Sequence, residues 1–234
     1  MYDIPDSIFE QYNHAQVSTS MGLFAELNHA WITIDNCLYL WDFTQTNPEL
    51  QGFEEQPNSI TAVKLLIPRQ GVFLPKITHL LVVATTSDIF LLGVGATVNP
   101  ATGAKMMELF NTGMSLNIKG IDVRTIEGSA STGRIFFGGR ADNEVYELTY
   151  QQEEKWFANK CGRVNHTSPG YTSLMPTFWH SKEHEVVEDI VIDDSRNLLY
   201  TLSSESCVRI FHMDSPTTLK MVVEKKRDDF LRDI

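Results

Sequence analysis

Apolar runs along this chain come in pairs, and a short polar break separates the two runs of each pair. The four pairs cover residues 31–43, 79–94, 133–150 and 197–213. Each run is either a short continuous apolar stretch or an alternation of apolar and polar residues, which is typical of β-strands buried on one or both faces. The pattern therefore predicts an all-β fold.

A further alternating strand precedes three of the four pairs, at residues 60–67, 119–126 and 187–193. The repeating unit is then a small antiparallel sheet of three or four strands. Equivalent positions in the second strand of each pair, at residues 40, 91, 145 and 208, lie 51, 54 and 63 residues apart. The blades of common propellers repeat about every 40 to 50 residues, and these spacings are close to that period. We therefore expect a β-propeller, a fold that presents binding surfaces more often than it does chemistry.

The four units do not readily close a ring, because the first lacks a clear additional strand. We therefore expect a partial propeller of about three to four blades. The expected organisation is a lead-in over residues 1–22, the blades over residues 23–213 and a connection toward a following blade over residues 214–234. Within the lead-in, residues 5–14 are predicted to form a short helix, because Pro5 suits a first helical turn and apolar residues recur at helical spacing.

Three segments between the strand pairs are expected to be connections. Residues 44–59 and 95–117 are rich in Gly, Pro, Asn and Thr, which favours surface loops, and residues 151–186 form the longest connection.

Net charge argues against general nucleic-acid binding. The chain has 30 acidic and 19 basic residues and a net charge of −11, which repels phosphate backbones. The densest basic run, residues 225–227, is followed at once by Asp228 and Asp229. The three cysteines are widely spaced, and no stretch has the length of a signal peptide core or a membrane span, so we expect a cytosolic or nuclear protein.

One motif suggests metal chemistry, at residues 180–184. His180, Glu183 and His184 match the H-x-x-E-H pattern of inverted zinc peptidases, which needs a helix and a third ligand from another helix. The motif here lies in a charged connection that leads into a strand, which favours a solvated loop. A zinc hydrolase is kept as the less favoured alternative, and no catalytic, cofactor-binding or metal residue is predicted.

The long connection contains an uncharged stretch with large apolar side chains. No Asp, Glu, Lys or Arg occurs between Arg163 and Lys182. An amphipathic helix of this type binds membranes through apolar insertion, whereas Pro176 favours the alternative, a loop that packs on the next blade. The candidates for membrane contact recur at helical spacing: Tyr171, Leu174, Met175, Phe178 and Trp179.

Several segments, in order, resemble the nucleoporin 155/170 family, the large scaffold nucleoporins of the inner ring of the nuclear pore. The similar segments run from about residue 5 to residue 213. They are residues 20–22, 30–35, 40–41, 73–75, 79–81, 133–137, 156–157, 160–161, 192–193 and 196–200.

The resemblance implies the first part of a seven-bladed N-terminal propeller that precedes a helical solenoid. It implies a non-enzymatic scaffold at the nuclear envelope that supports transport of protein and mRNA. The implied partners are other inner-ring nucleoporins and the curved pore membrane, the latter through the segment at residues 165–181. No nucleic acid, small-molecule substrate or cofactor is implied. The alternative that stays open is a generic protein-binding propeller adaptor.

Overall fold

The computed structural model describes residues 4, 5, 8, 18–54, 56–98, 105–118, 120–140, 143–151, 160–167 and 185–232. These residues form four antiparallel sheets of four strands each, and every sheet is built from strands that are consecutive in the chain. The described helices are a single 3-10 turn and one short α-helix. The expected all-β architecture of successive propeller blades is confirmed, with four sheets in the part of the chain that the structure describes.

The strands have the following bounds. The first sheet contains β1 (Thr19–Phe24), β2 (His29–Ile34), β3 (Cys37–Asp42) and β4 (Gln51–Phe53). The second contains β5 (Ile60–Leu66), β6 (His79–Thr85), β7 (Asp88–Val98) and β8 (Lys105–Asn117). The third contains β9 (Asp122–Gly128), β10 (Ile135–Arg140), β11 (Tyr146–Tyr150) and β12 (Cys161–Asn165). The fourth contains β13 (Val187–Asp193), β14 (Leu198–Ser203), β15 (Val208–Ser215) and β16 (Thr218–Lys225). The 3-10 turn is Ala25–Leu27, and α1 is Arg227–Arg232.

The second sheet is covered on both faces, which explains the continuous apolar run of β6. Successive side chains of a strand point to opposite faces. Leu80, Val82 and Ala84 join the cluster shared with the third sheet. Leu81 and Val83 join the cluster shared with the first sheet. Each of these side chains is fully buried, and burial of a leucine or valine side chain contributes about 1.5–3 kcal/mol.

The third sheet lies between neighbours in the same way. On β10, Ile135 and Phe137 pack toward the second sheet, whereas Phe136 packs with residues of the fourth sheet such as Leu199 and Phe211. The four sheets therefore stack in chain order, face against face, as the blades of a propeller do.

The outer faces at the two ends of this stack are only partly covered. On the first sheet, the face turned away from the second sheet includes Ile32 and Trp41 and packs against Ile8 of the N-terminal segment. On the fourth sheet, Val191 and Leu202 are 53% and 44% exposed. The predicted helix over residues 5–14 falls mostly outside the described residues.

Residues 95–98 and 105–117 form strands, contrary to the loop that the sequence predicts for residues 95–117. β7 continues to Val98, and β8 pairs with it along its whole length. Met107, Met114 and Leu116 of β8 are buried, so the strand is stabilised by packing as well as by its backbone hydrogen bonds. The Gly, Thr and Asn content that favours a loop is accommodated at a bulge around Gly113, where φ is 66°.

Three other expected connections also contribute strands, and so does the predicted lead-in. The connection at residues 151–186 includes β12, which pairs with β11, and the lead-in at residues 1–22 includes the first residues of β1, which pairs with β2. Residues 44–59, predicted as a loop, include the three-residue strand β4, which pairs with β3. Residues 214–234, expected as a connection, include β16, which pairs with β15 and completes the fourth sheet, followed by α1. β4, β12 and β16 are outer strands with mostly polar or exposed side chains, so their sequences lack the apolar alternation that identifies the inner strands.

Gly133 and Gly113 allow a matched test of how closely the second and third sheets approach. Both have left-handed φ, 67° and 66°. A Cβ atom at Gly133 would lie 2.3 Å from the backbone nitrogen of Arg69, whereas a Cβ atom at Gly113 would meet nothing within 4 Å. Left-handed backbone alone costs an alanine about 1–2 kcal/mol. Gly133→Ala should therefore lower the melting temperature clearly more than Gly113→Ala, as measured by thermal denaturation followed by circular dichroism. Equal shifts would show that the two sheets separate easily at this point.

Candidate functional site

The side chains predicted from the sequence to contact membrane lie outside the described residues. This applies to Tyr171, Leu174, Met175, Phe178 and Trp179, and also to the histidines of the H-x-x-E-H motif. In the part of the chain that the structure describes, no group of three or more His, Cys, Asp or Glu side chains is placed to hold a metal ion. Among the described helices, none has the length and apolar character needed to cross a membrane. The candidate sites of the described residues are therefore the contacts between sheets and two surface pockets.

Arg134 is a buried cation that joins the third sheet to the fourth. Its Nε and Nη2 atoms donate to the two carboxylate oxygens of Glu147 on β11, at 2.9 Å and 2.7 Å. Its Nη1 atom donates to the backbone carbonyls of Ser215 and Thr218, at 3.0 Å and 3.2 Å. These carbonyls belong to the β15–β16 hairpin, so one guanidinium group determines where the outer hairpin of the fourth sheet lies against the third sheet. A buried bidentate pair of this kind specifies geometry, because alternative placements leave charge unpaired.

Glu147 has a second partner, His166. The Nε2 atom of His166 lies 2.8 Å from a carboxylate oxygen of Glu147. Burial acts to raise the pKa of Glu147, but the hydrogen bonds and charges of Arg134 and His166 outweigh it, and the pKa lies below its ordinary value of 4.5. The carboxylate is therefore charged at neutral pH.

Asp194, in the turn after β13, also joins the fourth sheet to the third. It binds the turn between β9 and β10. Its carboxylate accepts hydrogen bonds from the hydroxyls of Ser129 and Ser131 at 2.6 Å and 2.9 Å, and from the backbone nitrogen of Ala130 at 2.8 Å. Burial acts to raise the pKa of Asp194, and these hydrogen bonds lower it more, so its pKa is below the ordinary value of 3.8. The charged carboxylate holds the turn in place against the fourth sheet.

Tyr150 joins the third sheet to the second. Its hydroxyl donates to the backbone carbonyl of Gly133 at 2.7 Å and accepts from the backbone nitrogen of Arg69 at 2.7 Å. Burial raises the pKa of Tyr150, which keeps the hydroxyl protonated and able to donate. The ring of Phe73 stacks on the ring of Tyr150 with centroids 6.0 Å apart. The loop between β5 and β6 is therefore tied to the third sheet by a hydrogen bond and an aromatic contact.

A pocket of about 330 Å³ opens beside this aromatic contact, and we name it the rim pocket. Its walls come from the β5–β6 loop, from β8 and from the start of the third sheet's outer strand. It is lined by Val72, Phe73, Leu74, Lys76, Ile77, Phe110, Asn111, Thr112, Met114 and Lys160. The walls are mostly apolar, and the charged side chains among these residues are both lysines.

A second pocket, of about 390 Å³, lies on the outer face of the first sheet. Its lining is almost entirely apolar and includes Met21, Leu23, Trp31 and Trp41. Met21 and Leu23 are 60% and 67% exposed. This is the same face that packs against Ile8, so the pocket belongs to a sheet face of the kind that a neighbouring blade covers elsewhere in the stack.

The sequence pattern places residues 133–150 in a pair of strands and does not reveal the buried ion pair. Arg134 and Glu147 each stand within or beside an apolar strand, and this is the only signal that could have identified them. A lone charge next to a buried strand is a candidate for pairing, because a buried charge needs a partner. The sequence offers no way to choose that partner, since Arg134 and Glu147 are brought together by the register of β10 and β11.

The chain matches one family model over nearly its whole length. The model is the nucleoporin N-terminal family described as "Nup133 N terminal like", and the match covers residues 1–231.

Curated relatives match across nearly the same span. Nucleoporin NUP170 of Chaetomium thermophilum is 48% identical over 236 aligned positions that cover 99% of this chain and 16% of that protein. Nucleoporin NUP170 of Saccharomyces cerevisiae is 34% identical and covers 90% of this chain and 15% of the relative. Nuclear pore complex protein Nup154 of Drosophila melanogaster is 32% identical, and the alignment covers 92% of this chain and 16% of that protein. The chain thus spans about one sixth of the length of these relatives.

Two solved structures resemble the chain to different degrees. The crystal structure of the Chaetomium thermophilum Nup170 NTD–Nup53 complex matches with a TM-score of 0.90 and 47% identity, over 99% of this chain and 32% of that one. Sqt1 from Chaetomium thermophilum matches with a TM-score of 0.50 and 14% identity, over 91% of this chain and 45% of that one. The second likeness concerns the fold alone.

Arg134→Met should destabilise the protein strongly. The substitution leaves Glu147 buried without its bidentate partner and removes the donor to two carbonyls, a loss of about 3–5 kcal/mol in the free energy of unfolding. The matched control is Lys64→Met. It breaks the 2.6 Å ion pair with Glu127 between the second and third sheets, where the lysine side chain is 42% exposed, and should cost no more than about 1 kcal/mol. Urea denaturation of both variants measures the difference.

The loss of stability caused by Arg134→Met should depend on pH. Because the pKa of Glu147 is lowered in the folded protein, its stabilising contribution is complete above the ordinary value of 4.5 and is lost as pH falls below that value. The gap in stability between the native chain and Arg134→Met should therefore shrink on acidification below about pH 4.5. A gap that is small at neutral pH, or that widens in acid, would contradict the role given to the pair.

Proposed function

The chain belongs to the nucleoporin family described as Nup133 N terminal like, and from this we propose that it forms part of the N-terminal propeller of an inner-ring scaffold protein. Its relatives are nucleoporins and nuclear pore complex proteins, so the protein belongs to the nuclear pore complex in the nuclear envelope. The observation that carries the proposal is the match to the Nup170 N-terminal domain over 99% of the chain at a TM-score of 0.90.

The proposed role is structural and non-enzymatic. The fold supports this role through its rigid stacking of sheets, in which buried ion pairs and turns determine how each blade lies against the next. A scaffold of this kind supports transport of protein and mRNA by holding other components of the pore in place, without a cofactor, a small-molecule substrate or direct contact with nucleic acid.

In the whole protein, we expect the stack of sheets to continue. The proposed organisation is a lead-in at residues 1–22, whose last residues begin β1, blades over residues 23–213, and a final segment, residues 214–234, that contributes β16 to the fourth sheet and then leads toward the next blade. The partly exposed outer faces of the first and fourth sheets support this proposal, because burying those faces against further blades would remove exposed apolar surface.

Other nucleoporins are the proposed partners. The Chaetomium thermophilum relative forms a complex with Nup53 through its N-terminal domain. Because this chain is 47% identical to 32% of that relative's chain and has the same fold there, we propose that it also binds a Nup53-like nucleoporin.

Membrane contact is the second part of the proposal, and it rests on sequence. The segment at residues 165–181 is uncharged and carries Tyr171, Leu174, Met175, Phe178 and Trp179 at helical spacing. Insertion of a phenylalanine or tryptophan side chain into the acyl boundary would contribute about 1.5–3 kcal/mol, which is enough for weak, multivalent binding to a curved membrane.

Depletion and replacement of the full-length protein test the scaffold role. Depletion should lower the amount of other inner-ring nucleoporins at the nuclear envelope, measured by quantitative fluorescence, and should slow the import of a reporter protein. Replacement by the wild-type protein should restore both. The variant His180→Ala, His184→Ala should restore them equally, because the histidines have no catalytic role in this proposal. Unchanged pores after depletion would contradict the scaffold role, and failed restoration by the histidine variant would favour the zinc hydrolase.

Liposome flotation of the full-length protein tests the membrane contact. The variant Leu174→Asp, Phe178→Asp, Trp179→Asp should lose flotation, and the wild-type protein should prefer small vesicles, whose outer leaflet has more packing defects.

The control places the same three charges on the polar positions of the same segment, as Thr172→Asp, Ser173→Asp, Thr177→Asp. This variant should retain clearly more flotation than the first. Equal flotation of the wild-type protein and the first variant would assign the apolar side chains to packing within the protein.

A further inference from the structure

We propose that the rim pocket docks an extended peptide segment of a partner protein, in which a large apolar side chain is flanked by carboxylates. The inference rests on the proposed function, because it assigns one of the surfaces through which a pore scaffold would hold its partners. It concerns the side of the blades, away from the outer sheet faces that further blades would cover.

A bulge in β8 creates the pocket. Leu91 pairs with Met114, but the next residue, Leu92, pairs with Asn111, so Thr112 and Gly113 are inserted into the strand. The hydroxyl of Thr112 donates to the carbonyl of Leu91, and the backbone nitrogen of Gly113 donates to the side-chain oxygen of Asn111 at 2.8 Å. These bonds hold the bulge in one shape. The bulge is thus a fixed feature that bends the outer strand beside the loop between β5 and β6.

The apolar side chains that line the pocket are held in place by contacts with the two sheets. Phe73 is held by its stacking on Tyr150, whose hydroxyl bridges the second and third sheets. Met114 is buried, and Val72 and Ile77 are half-buried. At about 330 Å³, the pocket can take one or two large side chains without a rearrangement of the sheets.

The charge at the mouth selects the flanking residues of the partner. The amino group of Lys76 lies 4.1 Å from the centroid of the Phe110 ring, and Lys160 also lines the pocket. Neither lysine forms an ion pair with a described carboxylate, and no Asp or Glu is among the described lining residues. On a chain with a net charge of −11, this is a local cationic site. Carboxylates on either side of an apolar anchor would complement it.

The position of β8 favours an extended peptide over other occupants. β8 is the outermost strand of its sheet and pairs with β7 on one side. Its other edge can offer backbone hydrogen bonds to an added strand, as in other complexes that combine strand addition with a side-chain pocket. A concave site with two lysines has neither the flat apolar surface nor the many cations that bind a lipid membrane.

An array of short synthetic peptides, probed with the purified full-length protein, tests the proposal. Each peptide has one central aromatic or aliphatic residue, flanked in one series by Asp and Glu and in a second series by Lys. Binding should concentrate in the acidic series with large central residues. Fluorescence anisotropy should then give a dissociation constant for the best peptide that is at least about tenfold lower than for its lysine-flanked counterpart.

Charge reversal links this preference to the rim pocket. Lys76→Glu, Lys160→Glu should weaken binding of the acidic peptide about tenfold or more and should improve binding of the lysine-flanked peptide. The matched control, Lys220→Glu, Lys226→Glu, makes the same change in net charge at exposed positions on the fourth sheet and near α1, and should leave both affinities nearly unchanged. Leu74→Asp places a carboxylate on a side chain that is 64% exposed at the mouth, and should also weaken the acidic peptide without affecting the fold.

Several outcomes would overturn the proposal. They are the absence of saturable binding in the acidic series, equal effects of the pocket and control reversals, or displacement of the best peptide by phosphatidylserine vesicles, which would make the pocket a lipid site. The scaffold role is tested separately, by the amount of other inner-ring nucleoporins that remains at the nuclear envelope after depletion of the protein. If depletion disperses them but the pocket variants bind peptides normally, only this inference fails. If depletion leaves the pore unchanged, the scaffold role fails whatever the peptides do.

Discussion

The structure depends on one constraint, the need of each sheet to bury both of its faces. A strand such as β6 sends Leu80, Val82 and Ala84 to one side and Leu81 and Val83 to the other, and all five side chains are fully buried. Such a strand cannot be stable at the surface of a two-layer protein, because one face would remain in water. A neighbouring sheet on each side is therefore a physical requirement, and stacking sheets in chain order satisfies it with short connections.

Apolar packing holds the sheets together, and buried polar groups determine how each sheet is placed. Apolar contacts have no preferred direction, whereas hydrogen bonds to charged groups require particular positions. Arg134 binds Glu147 in its own sheet and two carbonyls of the next sheet's hairpin, and Asp194 binds a turn of the previous sheet. Tyr150 has the same role between the second and third sheets. Rigid placement of successive blades suits a scaffold, since its function is to hold surfaces at constant positions.

The surfaces of the described residues differ in what they can do. The outer faces of the first and fourth sheets are apolar and broad, which suits contact with further blades. The rim pocket is small, concave and flanked by Lys76 and Lys160, which suits a single peptide segment. We therefore propose different roles for the two kinds of surface, one in the continuity of the propeller and the other in the attachment of a partner.

The sequence alone was sufficient to predict the inner strands. Their apolar residues follow a period of two or form short continuous runs, and burial between sheets imposes this pattern directly, so the strand pairs starting near residues 31, 79, 133 and 197 were identified and with them the propeller. The outer strands β4, β8, β12 and β16 and the first strand, β1, were not identified, because each has one edge and much of its surface in solvent and needs no regular pattern.

The interactions between sheets were decided by tertiary structure. Strand register brings Glu147 and Arg134 together. The bulge at Gly113 forms where β8 pairs with β7. The contact of Asp194 with Ser129 forms because separate sheets stack on each other. Residues 64 positions apart, such as Asp194 and Ala130, leave no local signal of their contact. Local periodicity therefore encodes which residues form buried strands, whereas the partners of buried charges depend on distances that exist only once the sheets have stacked.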